Sequence, residues 1–336
     1  MKPTTLEDVA REAGVSRALV SIAYRGAEGV SDITRARIFE AGRTLGYRPN
    51  RIAARLASKA TDTIGVFLQD MHNDVFADIY DGIREVADDG GKHLVLAVGT
   101  PDGRMDDRSI ETLLQSRVDV VLGAGLLLSD EAVRRYSRVV SIVSVARDLP
   151  GVDSVYSNNF LGATAATEYL LELGHTRVMF LANPQTDGYL DRQRGFEDTM
   201  SRAGIAAQVL PSRYSRSGAA EDIGALLDSP QRPTAVFAHN DQAAFGVLDA
   251  MALRGLRAPQ DVSVVGYDNS SVSRAPGTML TTIDIHGVEL GRQAAHAAMR
   301  RLNEESSPRI ASVSTPSLVI GATTGKPPNG SGERGH

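Results

Sequence analysis

Three side chains in the second half of the chain are of types that bind polar small molecules. Arg192 opens a predicted helix after a loop, and Asp241 and Asp268 each follow a predicted strand. A guanidinium fork suits diols, carboxylates or phosphates, and a carboxylate can accept hydrogen bonds from two hydroxyls or from amines. These residues therefore indicate a binding site for a polar ligand, although helix capping or internal salt bridges would use the same side chains.

Aromatic and further polar residues extend this candidate set. Phe76 and Tyr214 could stack on a sugar ring or a base. His72 lies in a loop shortly before Phe76, and Asn240 immediately precedes Asp241. Nothing in the sequence marks a catalytic acid–base pair among them, so the pattern favours binding and predicts no catalytic residue.

From residue 62 onward, predicted strands alternate with predicted helices, and these elements must position the candidate binding residues. Short β-branched or apolar runs predict strands, and longer helical patterns separate them. The predicted strands are Thr63–Leu68, His93–Val98, Val118–Leu122, Val139–Val145, Val178–Leu181, Ala235–Ala238 and Val262–Val265, and the predicted helices are Val75–Asp89, Ser109–Ser116, Leu161–Leu173, Arg192–Ala203 and Ala243–Leu253. This alternation predicts a two-lobed α/β body with parallel sheets and helices on both faces, and a ligand in the cleft between the lobes.

A different pattern occupies the first fifty residues. Thr5 followed by Asp8 is a capping-box signature, and Leu6, Val9, Ala10 and Ala13 give the first helix one apolar stripe. Gly14 can adopt the left-handed conformation of a sharp turn, and Ser16 can cap the next helix. Helix, glycine turn and second helix predict an all-α helix-turn-helix headpiece, which holds one helix in the major groove of DNA.

A third helix is predicted from about Ser31 to Gly46, with Ile33, Ile38, Ala41 and Leu45 available for the core. An ordinary three-helix bundle would show the same pattern, but the charge argues against it. Residues 1–61 carry 11 Lys and Arg against 6 Asp and Glu, a net charge of +5. Because the whole chain has a net charge of −5, the remainder carries −10. A basic head on an acidic body indicates that one segment binds nucleic acid.

Composition excludes several classes of protein. The 336 residues are enough for two or three domains, and the absence of cysteine excludes disulfides, thiolate metal sites and cysteine nucleophiles. The N-terminus has no apolar signal-peptide core, and the longest apolar stretch, 118–128, is too short to span a bilayer. We therefore expect a cytoplasmic protein with no membrane partner.

An enzyme with the same α/β body is the main alternative. However, Gly123-Ala124-Gly125 lacks the third glycine of a dinucleotide-binding fingerprint, and Leu128 stands at that position. No Walker motif and no zinc-protease helix occurs. The sequence therefore predicts no cofactor, no metal and no enzymatic activity. A transport-type solute-binding protein would share the body but would have a signal peptide and no use for residues 4–61.

A set of motifs in a fixed order makes the chain resemble the lactose-repressor (LacI/GalR) family of bacterial transcription regulators. The resemblance covers roughly residues 4–324. The motifs are Asp8-Val9-Ala10, Ala13-Gly14-Val15-Ser16, Ser31-x-x-Thr34-Arg35, Leu45-Gly46-Tyr47-Arg48-Pro49-Asn50, Leu173-Gly174-His175, Arg192-x-x-Gly195-Phe196, Asn240-Asp241, the run Asp261 to Asp268, and Leu280-Thr281-Thr282-Ile283. Each motif alone is weak, whereas all of them in this order are highly specific.

The resemblance implies a homodimer that binds a palindromic DNA operator and acts as a repressor. A small-molecule effector, by family default a sugar, would occupy the cleft and change the affinity for DNA. Arg192 and Asp268 match the ligand-binding arginine and aspartate of the family. Together with the candidates proposed above from their type and position, the predicted effector-binding residues are His72, Phe76, Arg192, Tyr214, Asn240, Asp241 and Asp268. Family members more often carry an aspartate where this chain has Asn158.

The resemblance also implies which headpiece residues contact DNA: Thr5, Ser16, Arg17, Ala18, Ser21 and Ile22. Arg17 can offer two donors to a guanine edge, or it can contact phosphate. Ala18 can meet a thymine methyl, and Ser16 and Ser21 suit phosphates, which position the protein without specifying sequence. Ile22 and Leu19 depart from the arginine and threonine common in the family, so sequence reading shifts toward apolar contacts.

Residues 50–61 match the family's hinge helix and linker. A helix this short is marginal alone, so it would fold on DNA against its partner. Leu56 would wedge into the minor groove, with Asn50, Arg51 and Ala53 beside the DNA, although Leu56 could instead pack on the body. The predicted domains are a headpiece at 1–49, this hinge, a body at 62–324 and a disordered tail at 325–336. The tail contains no leucine, which favours a dimer over a tetramer.

Overall fold

The computed structural model describes residues 4–24, 29–47, 61–183, 187–304 and 307–328, with the side chains of 187–189 left out. The chain divides into two compact units, residues 1–61 and 62–336, and each is described by itself. The predicted hinge residues Asn50, Arg51, Ala53 and Leu56 lie outside the described residues, and so do residues 329–336 of the predicted tail.

The first unit contains the predicted helices, α1 (Leu6–Ala13), α2 (Arg17–Tyr24) and α3 (Asp32–Thr44). The capping box of Thr5 and Asp8 is present, and Gly14 ends α1 in the left-handed conformation with φ 63°. The Ser16 hydroxyl accepts a hydrogen bond from the Leu19 N–H at 3.2 Å, which caps α2 as predicted. These local signals fix the angle between α1 and α2.

The headpiece core follows the predicted apolar positions with one correction. Its fully buried members are small and branched side chains from all three helices: Val9, Ala10, Ala13, Val20, Ala23, Ile38 and Ala41. Leu6 and Leu45 pack against this core from its edge. Ile33, which was predicted to join the core, is 85% exposed. It lies in the first turn of α3, where the helix face that Ile38 and Ala41 define points elsewhere.

The second unit begins with a lobe built on a six-stranded parallel sheet in the order β11-β5-β4-β3-β1-β2. Its strands are β1 (Thr63–Leu68), β2 (His93–Val98), β3 (Val120–Ala124), β4 (Ser141–Val145), β5 (Asp153–Ser157) and β11 (Ala311–Ser314). Its helices are α4 (Val75–Asp89), α5 (Asp106–Gln115), α6 (Asp130–Tyr136) and α11 (Gly287–Asn303). The bounds of β1, β2 and α4 agree with the sequence prediction.

The other lobe is built on a four-stranded parallel sheet in the order β7-β6-β8-β9. Its strands are β6 (Val178–Ala182), β7 (Gln208–Pro211), β8 (Ala235–Ala238) and β9 (Ser263–Val265). Its helices are α7 (Asn159–Glu172), α8 (Asp187–Arg202), α9 (Arg216–Asp228) and α10 (Asp241–Ala252). Phe180, Phe196 and Phe237 pack together in its core with ring centroids 5.1 to 6.4 Å apart.

The chain passes between the two lobes at three places: after β5, after β10 (Thr282–Asp284), and between β11 and β12 (Ser317–Val319). Strands β10 and β12 pair antiparallel. Three adjacent connections let the lobes rotate as two bodies about a common hinge region, which is the arrangement used in closure around a ligand.

The body continues past the predicted boundary at residue 324. The buried His175 ring contacts the Thr234 hydroxyl and the Gly325 carbonyl, each at 2.9 Å. The Gly325 N–H donates to the Ser263 hydroxyl at 3.1 Å. Gly325 is therefore part of the four-stranded lobe, and a disordered tail can begin only beyond it.

Candidate functional site

Helix α2 presents one face of the headpiece to solvent. Ser16, Arg17 and Ala18 are exposed, and Ser21 and Ile22 on the next turn are partly exposed. Val20 and Ala23 face the core. The five side chains predicted to contact DNA therefore share an accessible surface at the start of α2, which is the part of a recognition helix that meets base edges.

Arg17 and Thr5 both interact with α1. The Arg17 guanidinium lies 3.9 Å from the exposed carboxylate of Glu7. The Thr5 hydroxyl donates to the Asp8 carboxylate at 2.7 Å and accepts from the Asp8 N–H at 3.3 Å. Thr5 is thus occupied as a helix cap, and this role accounts for it without DNA.

A small cavity of about 60 Å³ lies between the two lobes of the body. Its walls come from residues at the carboxyl ends of strands and at the starts of helices, as expected for parallel sheets. The lining residues are Gln69, Asn73, Val75, Phe76, Ile79, Gly125, Leu127, Ala146, Arg147, Asn159, Arg192, Asp268 and Ile285. Of the predicted effector residues, Phe76, Arg192 and Asp268 line this cavity.

Arg192 is buried on the wall formed by the four-stranded lobe. Its Nε donates to Asn159 Oδ1 at 2.8 Å, and its Nη2 lies 3.3 Å from Asp268 Oδ1. Its Nη1 donates to the carbonyl of His239. The guanidinium also lies 3.7 Å from the centre of the Tyr267 ring, a cation–π contact. Arg192 is therefore held rigidly, with its guanidinium plane fixed beside the cavity.

Asp268 follows β9 in an unusual backbone conformation. Its φ is 109°, a value that non-glycine residues seldom adopt, and its side chain is buried. Burial raises the pKa of Asp268 to about 7, although the Arg192 guanidinium and a hydrogen bond from the Asn73 side chain oppose this shift. The carboxylate therefore changes charge near neutral pH at the point where a ligand would meet it.

Phe76 and Tyr214 differ in their relation to the cavity. Phe76, in the first turn of α4, forms part of the cavity wall. The Tyr214 hydroxyl accepts a hydrogen bond from Asn73 Nδ2 at 2.9 Å. Tyr214 therefore contributes indirectly, because it fixes the amide of a lining residue that stands on the opposite lobe.

Besides Tyr214, three predicted effector residues do not line the cavity. The His72 side chain is 88% exposed and contacts Asp70 at 3.2 Å. Asn240 caps α10, since its side chain accepts from the Ala243 N–H at 2.8 Å. The buried Asp241 carboxylate accepts from the Ser270 N–H at 2.8 Å and from the Thr282 hydroxyl. Asn240 therefore acts as a helix cap, and Asp241 is satisfied by internal hydrogen bonds rather than by the helix capping or salt bridge noted as alternatives from the sequence.

The cavity also contains polar residues that the candidate set omitted. Gln69 follows β1, Arg147 follows β4, and Asn159 follows β5 at the start of α7. Each stands just beyond the carboxyl end of a strand, and that position is the signal that could have identified it. Arg147 Nη1 donates to the Leu126 carbonyl at 2.6 Å.

Comparison with known proteins agrees with both units. The family described as "Bacterial regulatory proteins, lacI family" matches residues 5–50, and a "Periplasmic binding protein-like domain" matches residues 167–324. The ribose operon repressor of Escherichia coli (strain K12) is 33% identical over 317 residues, which cover 89% of this chain and 93% of that protein. The chain belongs to the lacI family of bacterial regulatory proteins.

Solved structures of the family extend the likeness to the whole fold. The lac repressor dimer bound to operator and the anti-inducer ONPF matches with a TM-score of 0.83 at 28% identity, covering 96% of this chain and 100% of that one. A complex of the transcriptional regulator CelR with cellobiose matches with a TM-score of 0.70 at 28% identity, covering 95% and 99%. The predicted family and fold are confirmed, and the chain is a DNA-binding transcriptional regulator.

None of the described helices is long and apolar enough to cross a membrane. Within the same described ranges, no group of three or more His, Asp or Glu side chains is arranged to hold a metal ion.

Proposed function

We propose that this protein is a repressor that binds a palindromic operator as a homodimer and changes its operator affinity when a sugar-class effector enters the cleft. The observation that carries the proposal is the buried Arg192–Asp268 pair on the cavity wall, 3.3 Å apart. A buried ion pair costs desolvation free energy and is weak support for stability alone. Its position beside a cavity is explained by ligand binding.

The chemistry of the cavity favours a neutral polyol. Arg192 supplies donors, Asp268 supplies acceptors, and the amides of Gln69, Asn73 and Asn159 supply both. The Phe76 ring offers an apolar face of the kind that sugars stack on. Two relatives named above support the class: one is a ribose operon repressor, and the other was solved with cellobiose.

The proposed DNA contacts rest on the exposed face of α2 and on membership of the lacI family. Arg17 reads a guanine, Ala18 and Ile22 make apolar contacts to base edges, and Ser16 and Ser21 bind phosphates. Asn50, Arg51 and Ala53 contact the DNA of the operator centre, and Leu56 wedges into its minor groove. The lac repressor structure, a dimer bound to its operator, supports the dimeric mode.

The effector site is tested by a thermal-shift screen of the full chain against sugars, followed by calorimetry on the strongest ligand. A ligand at 100 times its Kd stabilises the folded form by about 2.7 kcal/mol. We expect Asp268→Asn to abolish the shift, whereas the control Asp261→Asn, which changes a partly exposed carboxylate of the same lobe, retains it. Equal shifts in both variants would remove Asp268 from the site.

The DNA function is tested by selecting binding sites from a random duplex pool. We expect a palindromic consensus that the full chain binds and that residues 62–336 alone do not bind. The shortened chain should keep its sugar binding because the body is a separate compact unit. Specific DNA binding by the shortened chain would contradict the assignment of the headpiece.

A further inference from the structure

The residues Asp268–Arg274, which we call the linking segment, run from the cavity to the opposite lobe. At its first residue, Asp268 contacts Arg192 at 3.3 Å and also receives a hydrogen bond from Asn73. A molecule in the cavity would therefore contact the side chain of Asp268. Any ligand that competes for its carboxylate oxygens acts on this end of the segment.

The middle of the linking segment is held in a strained but well-supported conformation. Asp268 and Asn269 have φ values of 109° and 51°, both positive for non-glycine residues. Asn269 Nδ2 donates to Asp284 at 2.9 Å, and the Ser270 N–H donates to Asp241 at 2.8 Å. Backbone in this region persists only where surrounding contacts determine it, so the segment has one preferred shape. A rigid shape can transmit a displacement from one end to the other.

The far end of the linking segment contacts the other lobe. Arg274 Nη2 lies 3.4 Å from Asp78 on α4, and Arg274 Nη1 donates to the Asn269 carbonyl. The backbone of Ser271 also hydrogen-bonds to the Asp78 carboxylate. Asp78 is buried, so its carboxylate depends on these two partners for compensation. The contact between the lobes is therefore made by a group that is costly to leave unpaired.

Helix α4 is well suited to receive this contact. A Cβ on Gly82 would collide with the Val288 carbonyl of α11, and a Cβ on Gly291 would collide with the Ile79 carbonyl of α4. The two helices thus pack backbone against backbone. Phe76, two residues before Asp78, lines the cavity. The cavity wall of the six-stranded lobe and the partner of Arg274 therefore lie on the same helix.

We propose that Arg274 and Asp78 are the positioning pair that holds the two lobes at their observed angle, and that the linking segment connects this pair to the cavity. This inference rests on the proposed function, since it assigns the regulation of that effector site. A ligand that changes how Asp268 is held displaces the segment, and Arg274 transfers the displacement to α4. The ligand thereby stabilises or destabilises the lobe arrangement in which Arg274 contacts Asp78.

The test measures the distance between the lobes directly in the full chain. The chain has no cysteine, so spin labels can be attached at Ser137→Cys and Ser201→Cys, two exposed positions on different lobes. Double electron–electron resonance is recorded on labelled protein diluted with unlabelled protein. Arg274→Gln should widen the distance distribution and lengthen its mean. The matched control Arg257→Gln, which removes an exposed arginine paired with Asp261 at 3.8 Å, should not.

Two further variants test the coupling without a ligand. Asp268→Asn should also change the distance, and the double variant Asp268→Asn/Arg274→Gln should change it no more than Arg274→Gln alone, because both act through one link. An unchanged distribution in Arg274→Gln overturns the positioning pair. Additive effects in the double variant overturn the link between the cavity and the pair.

Distance measurements with added sugar distinguish a failure of this inference from a failure of the proposed function. Ribose and cellobiose are added to the labelled chain, and the change in distance is compared between the parent and Arg274→Gln. A sugar that shifts the parent distance but shifts Arg274→Gln much less supports the link, and equal shifts overturn it. If neither sugar binds, the sugar-class effector proposal loses support, whereas the ligand-free distances still decide the linking segment.

Discussion

Asp268 combines a conformational and an electrostatic constraint in one residue. Its positive φ points the carboxylate toward Arg192, and burial raises its pKa to about 7. A side chain with this pKa is partly protonated at neutral pH. A protonated carboxyl has fewer acceptor sites for ligand hydroxyls than a carboxylate.

This pKa predicts pH-dependent effector binding. If a neutral sugar requires the ionised carboxylate of Asp268, its affinity should fall as the pH falls below the raised pKa. Between about pH 8 and pH 6 the ionised fraction, and hence the affinity, decreases about tenfold. Calorimetry of the wild-type chain at both values measures this change. Asp268→Asn should bind weakly and without pH dependence, and a wild-type affinity that stays constant would show that the charge of Asp268 does not matter.

For individual residues, the sequence predicted which types of side chain line the cavity better than it predicted the direction in which each candidate side chain points. Arg192, Asp268 and Phe76 all line the cavity. Asn240 and Asp241 occupy equally suitable positions along the chain but turn inward to satisfy helix and loop N–H groups. Which way such a side chain turns depends on partners distant in sequence, so local pattern cannot decide it.

At the scale of elements, helix α11 carries the contact that sets the position of α4. Apart from Leu290, its buried face consists of glycine and alanine: Gly287, Gly291, Ala294, Ala295, Ala297 and Ala298. The sequence did not predict this helix, whereas it predicted α4, β1, β2 and β8 with the observed bounds. Periodicity of large apolar residues marks helices that bury large side chains. A helix that packs through small residues lacks that signal.

We predict that Gly291→Ala destabilises the body. The added Cβ would collide with the Ile79 carbonyl, and neither helix backbone can move without disturbing the core, at a cost of about 1–3 kcal/mol. The control is Gly277→Ala, where a Cβ meets nothing within 4 Å. Urea denaturation followed by circular dichroism compares the two. Equal midpoints would mean that α4 and α11 separate at little cost.

A second prediction concerns the ion pair that fixes α11 to the sheet. Arg301 donates to both carboxylate oxygens of the buried Asp153 at 2.7 and 2.8 Å, and Asp153 also accepts from the Ile310 N–H. Asp153→Asn leaves Arg301 without its charge partner and should lower the free energy of unfolding by about 3–5 kcal/mol. Asp148→Asn breaks the exposed pair with Arg309 and should cost about 0–1 kcal/mol. Chemical denaturation measures both; comparable losses would contradict the assigned difference in burial.

At the scale of the whole molecule, charge and function divide at the same point in the chain. The headpiece segment 1–61 carries +5 and the body −10, and these segments form separate compact units. The sequence predicted this division because net charge adds along a chain whatever its fold. It could not predict the geometry of the cleft, since that depends on contacts between residues such as Asp78 and Arg274, which are 196 positions apart.

The separation of DNA binding from effector binding imposes a thermodynamic constraint that can be tested on the whole protein. If the effector changes operator affinity by some factor, the operator must change effector affinity by the same factor. We therefore expect fluorescence anisotropy on a selected operator, with and without saturating sugar, to give the same ratio as calorimetry of the sugar with and without operator. Arg274→Gln should bring both ratios closer to one while each ligand still binds alone. Ratios that stay at the parent value in Arg274→Gln would mean that the contact between Arg274 and Asp78 does not connect the cleft to DNA.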